Sequence, residues 1–360
     1  MMSSPDRLAV RESLAMMSGY HSPQLDVAVR LNTNESPVPP PEGWAEALRA
    51  AQADIDWHRY PDRGAHELRA ALAKHEGVAP EQVFAANGSN EVLQCLMLAF
   101  GGPGRVALTF EPTYALHSHI SRLAATEVVT GERDEDFSLD AEYASAMVAE
   151  HRPAVTFLCS PNNPTGMVEP PELVERLLAK VSALPGLLLM DEAYGQFDPY
   201  TAVDLVDESR PLAVARTYSK TWSMAAARLG YLVAPSWVVA ELEKSTLPYH
   251  LDTMKQIAGR LALDYEDEMN ERVGMLVAER ERIAAGLDQL PVRHWESGAN
   301  FILLRPDSGD GEAVWEGLVD RSVLVRNCSS WPRLSGCLRV TVGTPAENDA
   351  FLSALSEVLT

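Results

Sequence analysis

The sequence predicts an α/β fold, in which a large and mostly parallel sheet is flanked by helices and a smaller α+β domain follows. Six short apolar runs after residue 82 lack the polar alternation of a sheet with one wet face, and amphipathic segments separate them. Such strands are typical of sheets that are buried on both faces, which are usually parallel. The length of 360 residues corresponds to about two domains.

The elements follow in chain order. The buried strands are predicted at Val83–Ala86, Arg105–Thr109, Val155–Cys159, Leu187–Met190, Leu212–Ala215 and Leu229–Val233. Apolar residues at helical spacing predict helices at Trp44–Ala53, Glu91–Phe100 and Pro171–Ala183, and a long helical pattern from Lys255 to Leu290. Beyond it, strands at Phe301–Leu304, Val323–Val325 and Cys337–Val342 and a helix at Gly311–Val319 are typical of a small α+β domain. We therefore expect an N-terminal arm (1–42) that joins the small domain, a large domain (43–260) and a small C-terminal domain (261–360).

The composition excludes several classes of partner. Thirty Lys and Arg residues against 51 Asp and Glu residues give a formal charge of −21, which repels nucleic acids and anionic membranes. The four cysteines are too few for a disulfide scaffold and form no CxxC motif, and the N-terminal residues lack the layout of a signal peptide. We expect a cytoplasmic protein without a nucleic-acid or membrane partner, in which specific arginines would bind any anionic ligand.

Polar residues gather where the predicted strands end. Asn163 follows the strand that ends at Cys159, Asp191 and Tyr194 follow Met190, and Ser219 and Lys220 follow Ala215. Each has an ordinary explanation as a cap, a turn or a surface residue. The carboxyl ends of parallel strands meet at one edge of the sheet, however, and ligands bind there.

Pyridoxal phosphate requires this combination of groups. Its aldehyde needs a lysine, its pyridine nitrogen a carboxylate, and its phosphate a helix N-terminus with a cation. The candidates are Lys220 for the aldehyde, Asp191 for the pyridine nitrogen, Asn163 and Tyr194 for the phenolic oxygen, Ser89, Asn90, Ser219 and Arg228 for the phosphate, and Tyr114 for stacking on the ring. No metal site is expected, since the HxH spacing at 117–119 has no companion ligands and is typical of a helix or loop surface. The charged run at 131–136 is expected to be a solvated loop.

Several strings of residues resemble a known family. SPNNPTG (160–166), DEAY (191–194), YSK (218–220) and RLGY (228–231) resemble the aspartate-aminotransferase fold of pyridoxal-phosphate enzymes, fold type I. LNTNESP (31–37), RYPD (59–62), GANF (298–301), the pair Val325-Arg326 and LRVTVGT (338–344) resemble the histidinol-phosphate aminotransferase family. The likeness runs from about Tyr20 to the C-terminal helix.

The resemblance implies further roles. Arg339 would bind the substrate carboxylate with the help of Asn32, and Tyr60 would reach the cofactor phosphate of a partner subunit, so that a homodimer would share its active sites. Tyr20, Tyr249 and Arg326 would face the side chain and phosphate of the substrate. Three residues depart from the family pattern: Ser223 and Ala226 stand at glycine positions, and His250 stands where asparagine is usual.

The resemblance implies an aminotransferase with a small-molecule amino donor and a 2-oxo acid acceptor. The family pair would be L-histidinol phosphate and 2-oxoglutarate, and an aromatic amino acid is an alternative donor. A lyase similar to threonine-phosphate decarboxylase is a second hypothesis. A non-catalytic binding protein on the same scaffold is a third, which the intact Lys220 and Asp191 disfavour.

Overall fold

The computed structural model describes residues 8, 10–15, 17, 19 and 25–360. Tyr20 lies outside the described residues. The strands of the described chain are β1 Val29–Leu31, β2 Val83–Ala86, β3 Val106–Glu111, β4 Glu127–Glu132, β5 Val155–Cys159, β6 Leu187–Asp191, β7 Leu212–Thr217, β8 Gly230–Val233, β9 Val292–His294, β10 Phe301–Pro306, β11 Val323–Asn327 and β12 Leu338–Thr341.

The helices lie between these strands and after the last of them. They are α1 Glu12–Ala15, α2 Glu42–Gln52, α3 His66–Glu76, α4 Ser89–Phe100, α5 Leu116–Leu123, α6 Ala141–His151, α7 Pro171–Ser182, α8 Ser236–Ser245, α9 Thr253–Ala262, α10 Glu266–Leu287, α11 Gly311–Asp320 and α12 Pro345–Leu359. The long helical pattern predicted from Lys255 to Leu290 consists of two helices, α9 and α10, which a 3₁₀ turn at Leu263–Tyr265 separates. No helix in the described ranges has the length and apolar character needed to cross a membrane.

The large sheet has seven strands in the order β2-β8-β7-β6-β5-β3-β4. β8 runs antiparallel to both of its neighbours, and the other pairs are parallel. Cys159 pairs with Asp191, which in turn pairs with Ala215, so the ends of β5, β6 and β7 are aligned at one edge. The six predicted buried strands and their mostly parallel arrangement are confirmed.

Residues of β6 show why this sheet is covered on both faces. Leu188 and Met190 pack into one hydrophobic cluster, and Leu187 and Leu189 pack into another. Successive side chains of a strand point to opposite faces, so an uninterrupted apolar run places carbon against helices on both sides. Full burial of each such side chain stabilises the fold by about 1.5–3 kcal/mol.

The second sheet has five strands in the order β1-β11-β12-β10-β9. β1 runs parallel to β11 and the remaining pairs are antiparallel. The N-terminal strand β1 therefore joins a sheet whose other strands all come from the last 70 residues of the chain. The domain boundaries at 42 and 260 stay predictions.

One charged segment differs from its expected structure. Residues 131–132 end β4, and Arg133 is buried rather than solvated. Its guanidinium forms a buried ion pair with Glu169 and donates to the carbonyl oxygen of Phe137 at 3.2 Å. A charge can be buried when it is paired and hydrogen-bonded in this way, so the expectation of a fully solvated loop is wrong at this residue.

Candidate active site

One pocket contains most of the predicted site residues. It lies at the aligned ends of β5, β6 and β7, against the second sheet. The predicted residues that line it are Asn32, Ser89, Asn90, Tyr114, Asn163, Asp191, Tyr194, Ser219, Lys220, Arg228, Arg326 and Arg339. Tyr60 and Tyr249 do not line it. The roles of these residues stay predictions, but the structure places twelve of the fifteen in one cavity.

Lys220 follows β7 and points its amine at the N-terminal arm. Its Nζ donates to the carbonyl oxygens of Asn34 and Thr33, at 2.8 and 3.3 Å. Burial lowers the pKa of Lys220 to about 7, and the positive charge of Arg339 acts in the same direction. A large share of this amine is therefore neutral at physiological pH, which is the form that attacks carbonyl groups.

Asp191 ends β6 and is held by two donors. Its Oδ1 accepts from the backbone N–H of Ala193 at 3.1 Å, and its Oδ2 lies 2.9 Å from Nε2 of His117. His117 Nδ1 is buried and has no hydrogen-bond partner among the described residues. The proton of a neutral imidazole is therefore best placed on Nε2, where it donates to the carboxylate of Asp191.

Sequence reasoning missed this role of His117. The expectation of a surface position for the HxH motif is wrong at His117, which is fully buried on α5. Its ring stacks on Phe157, with 4.7 Å between the centroids, and meets the edge of Tyr114 at 5.4 Å. The strong amphipathicity of residues 116–123 is the signal that could have located its inward face.

Asn34 is a second residue that sequence reasoning did not single out. Its Nδ2 donates to the hydroxyl oxygen of Tyr194 at 2.9 Å, and its Oδ1 accepts from Thr341 at 3.0 Å. Burial raises the pKa of Tyr194 to about 12, so this phenol stays protonated and can donate a hydrogen bond. Asn34 has a φ of 54°, and asparagine is among the few residues that adopt this left-handed conformation readily.

The start of α4 can hold a phosphate. The preceding Gly88 has a φ of 80°, and a Cβ at this position would lie 2.8 Å from Nη2 of Arg228. Glycine thus lets the Arg228 guanidinium approach the free N–H groups of Ser89 and Asn90. Arg228 also donates to Ser219 Oγ at 3.2 Å. Backbone N–H groups, hydroxyls and a guanidinium are the donors that phosphate requires.

The two substrate-side arginines lie directly opposite each other on neighbouring strands. Arg326 of β11 pairs with Arg339 of β12 in the antiparallel ladder. Arg339 Nη1 donates to Asn163 Oδ1, and its Nη2 donates to the carbonyl oxygen of Asn32 at 3.0 Å. Two guanidinium groups at one end of the pocket predict a ligand with negative charge.

Tyr60 and Tyr249 lie together on the surface. Their rings stack with 4.5 Å between the centroids, and 81% of Tyr60 and 43% of Tyr249 are exposed. Neither ring contributes to the pocket of its own chain. This placement is what a residue acting on a neighbouring subunit would need.

The departures from the family pattern have local explanations. Ser223 has a φ of 56°, which accounts for the usual glycine, and its Oγ donates to Ser36 Oγ and accepts from Arg272 Nη1, both at 2.8 Å. His250 Nε2 lies 2.9 Å from the carbonyl oxygen of Ala85, and its ring stacks on Phe84. His250 therefore packs against β2 rather than lining the pocket. Ala226 lies in a 3₁₀ turn at Ala225–Ala227.

The residues present fit pyridoxal phosphate. An amine with a pKa near neutrality, a buried carboxylate with an imidazole behind it, and a phosphate cradle line one cavity. Glycine at position 88 leaves room for the Arg228 guanidinium, since a Cβ there would lie 2.8 Å from its Nη2. The donor set matches the aldehyde, ring nitrogen and phosphate of this cofactor.

Comparison with known proteins gives concordant matches. The model of the aminotransferase class I and II family matches residues 26–355. The histidinol-phosphate aminotransferase of Frankia casuarinae is 48% identical, in an alignment that covers 99% of this chain and 91% of that protein.

Solved structures share the fold. The histidinol-phosphate aminotransferase of Sinorhizobium meliloti, solved in complex with pyridoxal-5'-phosphate, has a TM-score of 0.88 and 24% identity and covers 100% of this chain and 99% of that one. L-threonine-O-3-phosphate decarboxylase of Porphyromonas gingivalis has a TM-score of 0.80 and 22% identity and covers 92% and 99%. Since one fold carries both an aminotransferase and a decarboxylase, the reaction has to be argued from the site.

Proposed function

Because the chain belongs to the aminotransferase class I and II family, we propose that it transfers the amino group of L-histidinol phosphate to 2-oxoglutarate. The family, the fold type and the pyridoxal-phosphate-dependent enzyme class predicted from the sequence are confirmed. The observation that carries the substrate proposal is the facing pair Arg326 and Arg339 in the same pocket as Lys220.

The residues of the pocket have different roles in the proposed reaction. Bound pyridoxal phosphate supplies a carbonyl carbon for the amino group and a ring that accepts electrons. Lys220 would hold the cofactor through its Nζ, and the same amine would take the proton from the amino-bearing carbon of the donor. Asp191, fixed by His117 and the Ala193 N–H, keeps the ring nitrogen protonated. Tyr194 donates to the phenolic oxygen.

The arginine pair fits both substrates. Histidinol phosphate brings one phosphate and 2-oxoglutarate brings two carboxylates, so each half of the reaction presents an anion to these guanidinium groups. A bidentate guanidinium suits both anions better than a lysine would. In a chain with a formal charge of −21, such local cations are needed to offset the repulsion of an anionic substrate.

A single-turnover screen tests the donor. The cofactor-loaded enzyme is mixed in turn with L-histidinol phosphate, L-histidinol and L-phenylalanine, and conversion of the bound cofactor to its aminated form is followed by absorbance. We expect histidinol phosphate to react fastest, and histidinol, its matched control without phosphate, at least about tenfold more slowly. Equal rates for the two would remove the phosphate from the proposal, and faster reaction of phenylalanine would replace it with an aromatic donor.

The lyase hypothesis is separated by its products. A decarboxylase of threonine phosphate would release CO₂ and would not consume 2-oxoglutarate. Measuring both in the presence of threonine phosphate distinguishes the reactions. We expect no CO₂ from threonine phosphate, and stoichiometric glutamate formation when histidinol phosphate is supplied as the donor instead.

The assembly proposal is a homodimer with shared active sites. Tyr60 supports it, since its exposed ring lies outside the pocket of its own chain. A cytoplasmic location also remains a proposal, and the four cysteines, which are buried free thiols, are compatible with a reducing compartment.

A further inference from the structure

We propose that Trp331 positions both substrate-binding guanidinium groups, and that it thereby sets the affinity of the pocket for anions. This inference rests on the proposed function, because it assigns anion binding to Arg326 and Arg339. No motif singled out in the sequence includes Trp331. Its side chain nevertheless lines the same pocket as Lys220 and the two arginines.

The first observation is that the two guanidinium groups of the arginine pair repel each other. Arg326 and Arg339 face each other across the β11–β12 ladder, and only 8% and 5% of their surfaces are exposed. Like charges at directly opposed positions of a sheet repel each other, and burial strengthens that repulsion. The pair therefore needs groups that hold both cations before the substrate arrives.

The second observation is the indole that both cations contact. The guanidinium carbon of Arg326 lies 5.4 Å from the ring centroid of Trp331, and that of Arg339 lies 6.0 Å from it. Phe301 lies 5.1 Å from the guanidinium carbon of Arg339. Aromatic faces attract cations at such distances, and tryptophan does so most strongly.

The third observation is the anchorage of the loop that carries Trp331. Residues 328–337 connect β11 to β12, and Leu334 is fully buried in a cluster with Phe137 and Trp295. Arg333 donates to the carbonyl oxygen of Arg133, just after β4 of the large sheet. The loop is thus attached both to the large sheet and to the small one, which fixes the half-buried indole at the pocket wall.

Trp331 also bounds a second cavity, which Thr113, Arg122 and Arg333 help to line. Because the indole belongs to the walls of both cavities, its removal would let water reach the arginine pair from the other side. Water raises the local dielectric and weakens charge-assisted contacts with an anion. Loss of the π face and entry of water would therefore both weaken the binding of anions to the arginine pair.

The test compares three variants of the cofactor-loaded enzyme. Trp331→Leu removes the π face, Trp331→Phe keeps a smaller one, and Trp237→Leu makes the same change on α8 outside the pocket. Calorimetric titration with inorganic phosphate and with succinate, an unreactive dicarboxylate, gives Kd without turnover. Melting temperature and cofactor absorbance show that each variant is folded and loaded.

We expect Trp331→Leu to weaken binding of both anions by about tenfold, and Trp331→Phe by less than about threefold. Trp237→Leu should bind them like the wild type. In steady state, Trp331→Leu should raise KM for 2-oxoglutarate by a similar factor, with a much smaller change in kcat.

Three results would overturn the proposal. They are binding by Trp331→Leu within twofold of wild type, equal losses for Leu and Phe, and failure of the wild type to bind either anion. A wild type that binds succinate but does not react with histidinol phosphate would refute the proposed donor alone, and the comparison of the variants would still decide the role of Trp331.

Discussion

Lys220 should lose its proton near neutral pH in the cofactor-free protein. Burial of its amine and the charge of Arg339 lower its pKa to about 7, whereas the pKa of an ordinary lysine is about 10.4. At pH 7 about half of Lys220 would then be neutral, compared with about one in 2,500 for an ordinary lysine. The pocket thus increases the reactive form of this amine by about three orders of magnitude.

Competitive acetylation measures this pKa directly. The cofactor-free protein is treated with a trace of acetic anhydride at pH values from about 5.5 to 10, and the labelled peptides are quantified by mass spectrometry. The peptide with Lys244, whose side chain is exposed, provides the reference. Labelling of Lys220 should rise with a midpoint near pH 7, and covalent attachment of pyridoxal phosphate should slow below the same pH.

Two variants of Arg339 separate charge from burial. Arg339→Met removes a positive charge that disfavours the protonated amine, so the pKa of Lys220 should rise toward its ordinary value. Arg339→Lys keeps the charge and should leave the pKa close to that of the wild type. A wild-type midpoint above about pH 9, or an unchanged midpoint in Arg339→Met, would refute the electrostatic reasoning.

Three further predictions concern other parts of the site. Asp191→Asn should retain the cofactor but lose several orders of magnitude in rate, and a variant with more than about a tenth of wild-type activity, a loss below 1.4 kcal/mol, would contradict the role of the carboxylate. Mixing Tyr60→Phe with Lys220→Ala should restore activity above that of either parent, because one site of each heterodimer would carry neither defect; no recovery after demonstrated subunit exchange would argue against shared sites. Arg326→Met should lower kcat/KM for histidinol phosphate by about ten- to a hundredfold and change that for phenylalanine little, whereas equal losses would indicate a structural role.

The central strands could be predicted because their cause is local. Leu187–Asp191 and Val155–Cys159 are buried along their whole length and are apolar except at Asp191 and Thr156, and such runs have few alternatives to burial on both faces. Asp191 and Lys220 could be predicted for the same reason, since each follows a strand whose end is evident in the sequence. The ladder of β5, β6 and β7 then brings them together.

The edge of the sheet could not be predicted in this way. β4 has neighbours on one side only, and its polar and exposed residues do not form an apolar run. Arg133, just after it, can be buried because it is paired with Glu169. That partner lies 36 positions further along the chain. Pairings of this kind depend on the assembled fold, and composition does not reveal them.

The supporting residues of the site were missed for a related reason. Asn34 acts on Tyr194 across 160 positions, and His117 acts on Asp191 across 74. Trp331 meets its two arginines only after β11 and β12 pair. Sequence spacing locates groups at strand ends, but it does not show which distant side chain will orient them.

The central claim is that this chain forms glutamate from 2-oxoglutarate with L-histidinol phosphate as the donor and Lys220 as the essential amine. The most direct measurement is the initial rate of glutamate formation by the cofactor-loaded wild type and by Lys220→Ala, with histidinol phosphate and then phenylalanine as donor. We predict a kcat/KM for histidinol phosphate at least about tenfold above that for phenylalanine, and no turnover by Lys220→Ala with either donor. Absence of glutamate with histidinol phosphate, or turnover retained by Lys220→Ala, would contradict the account.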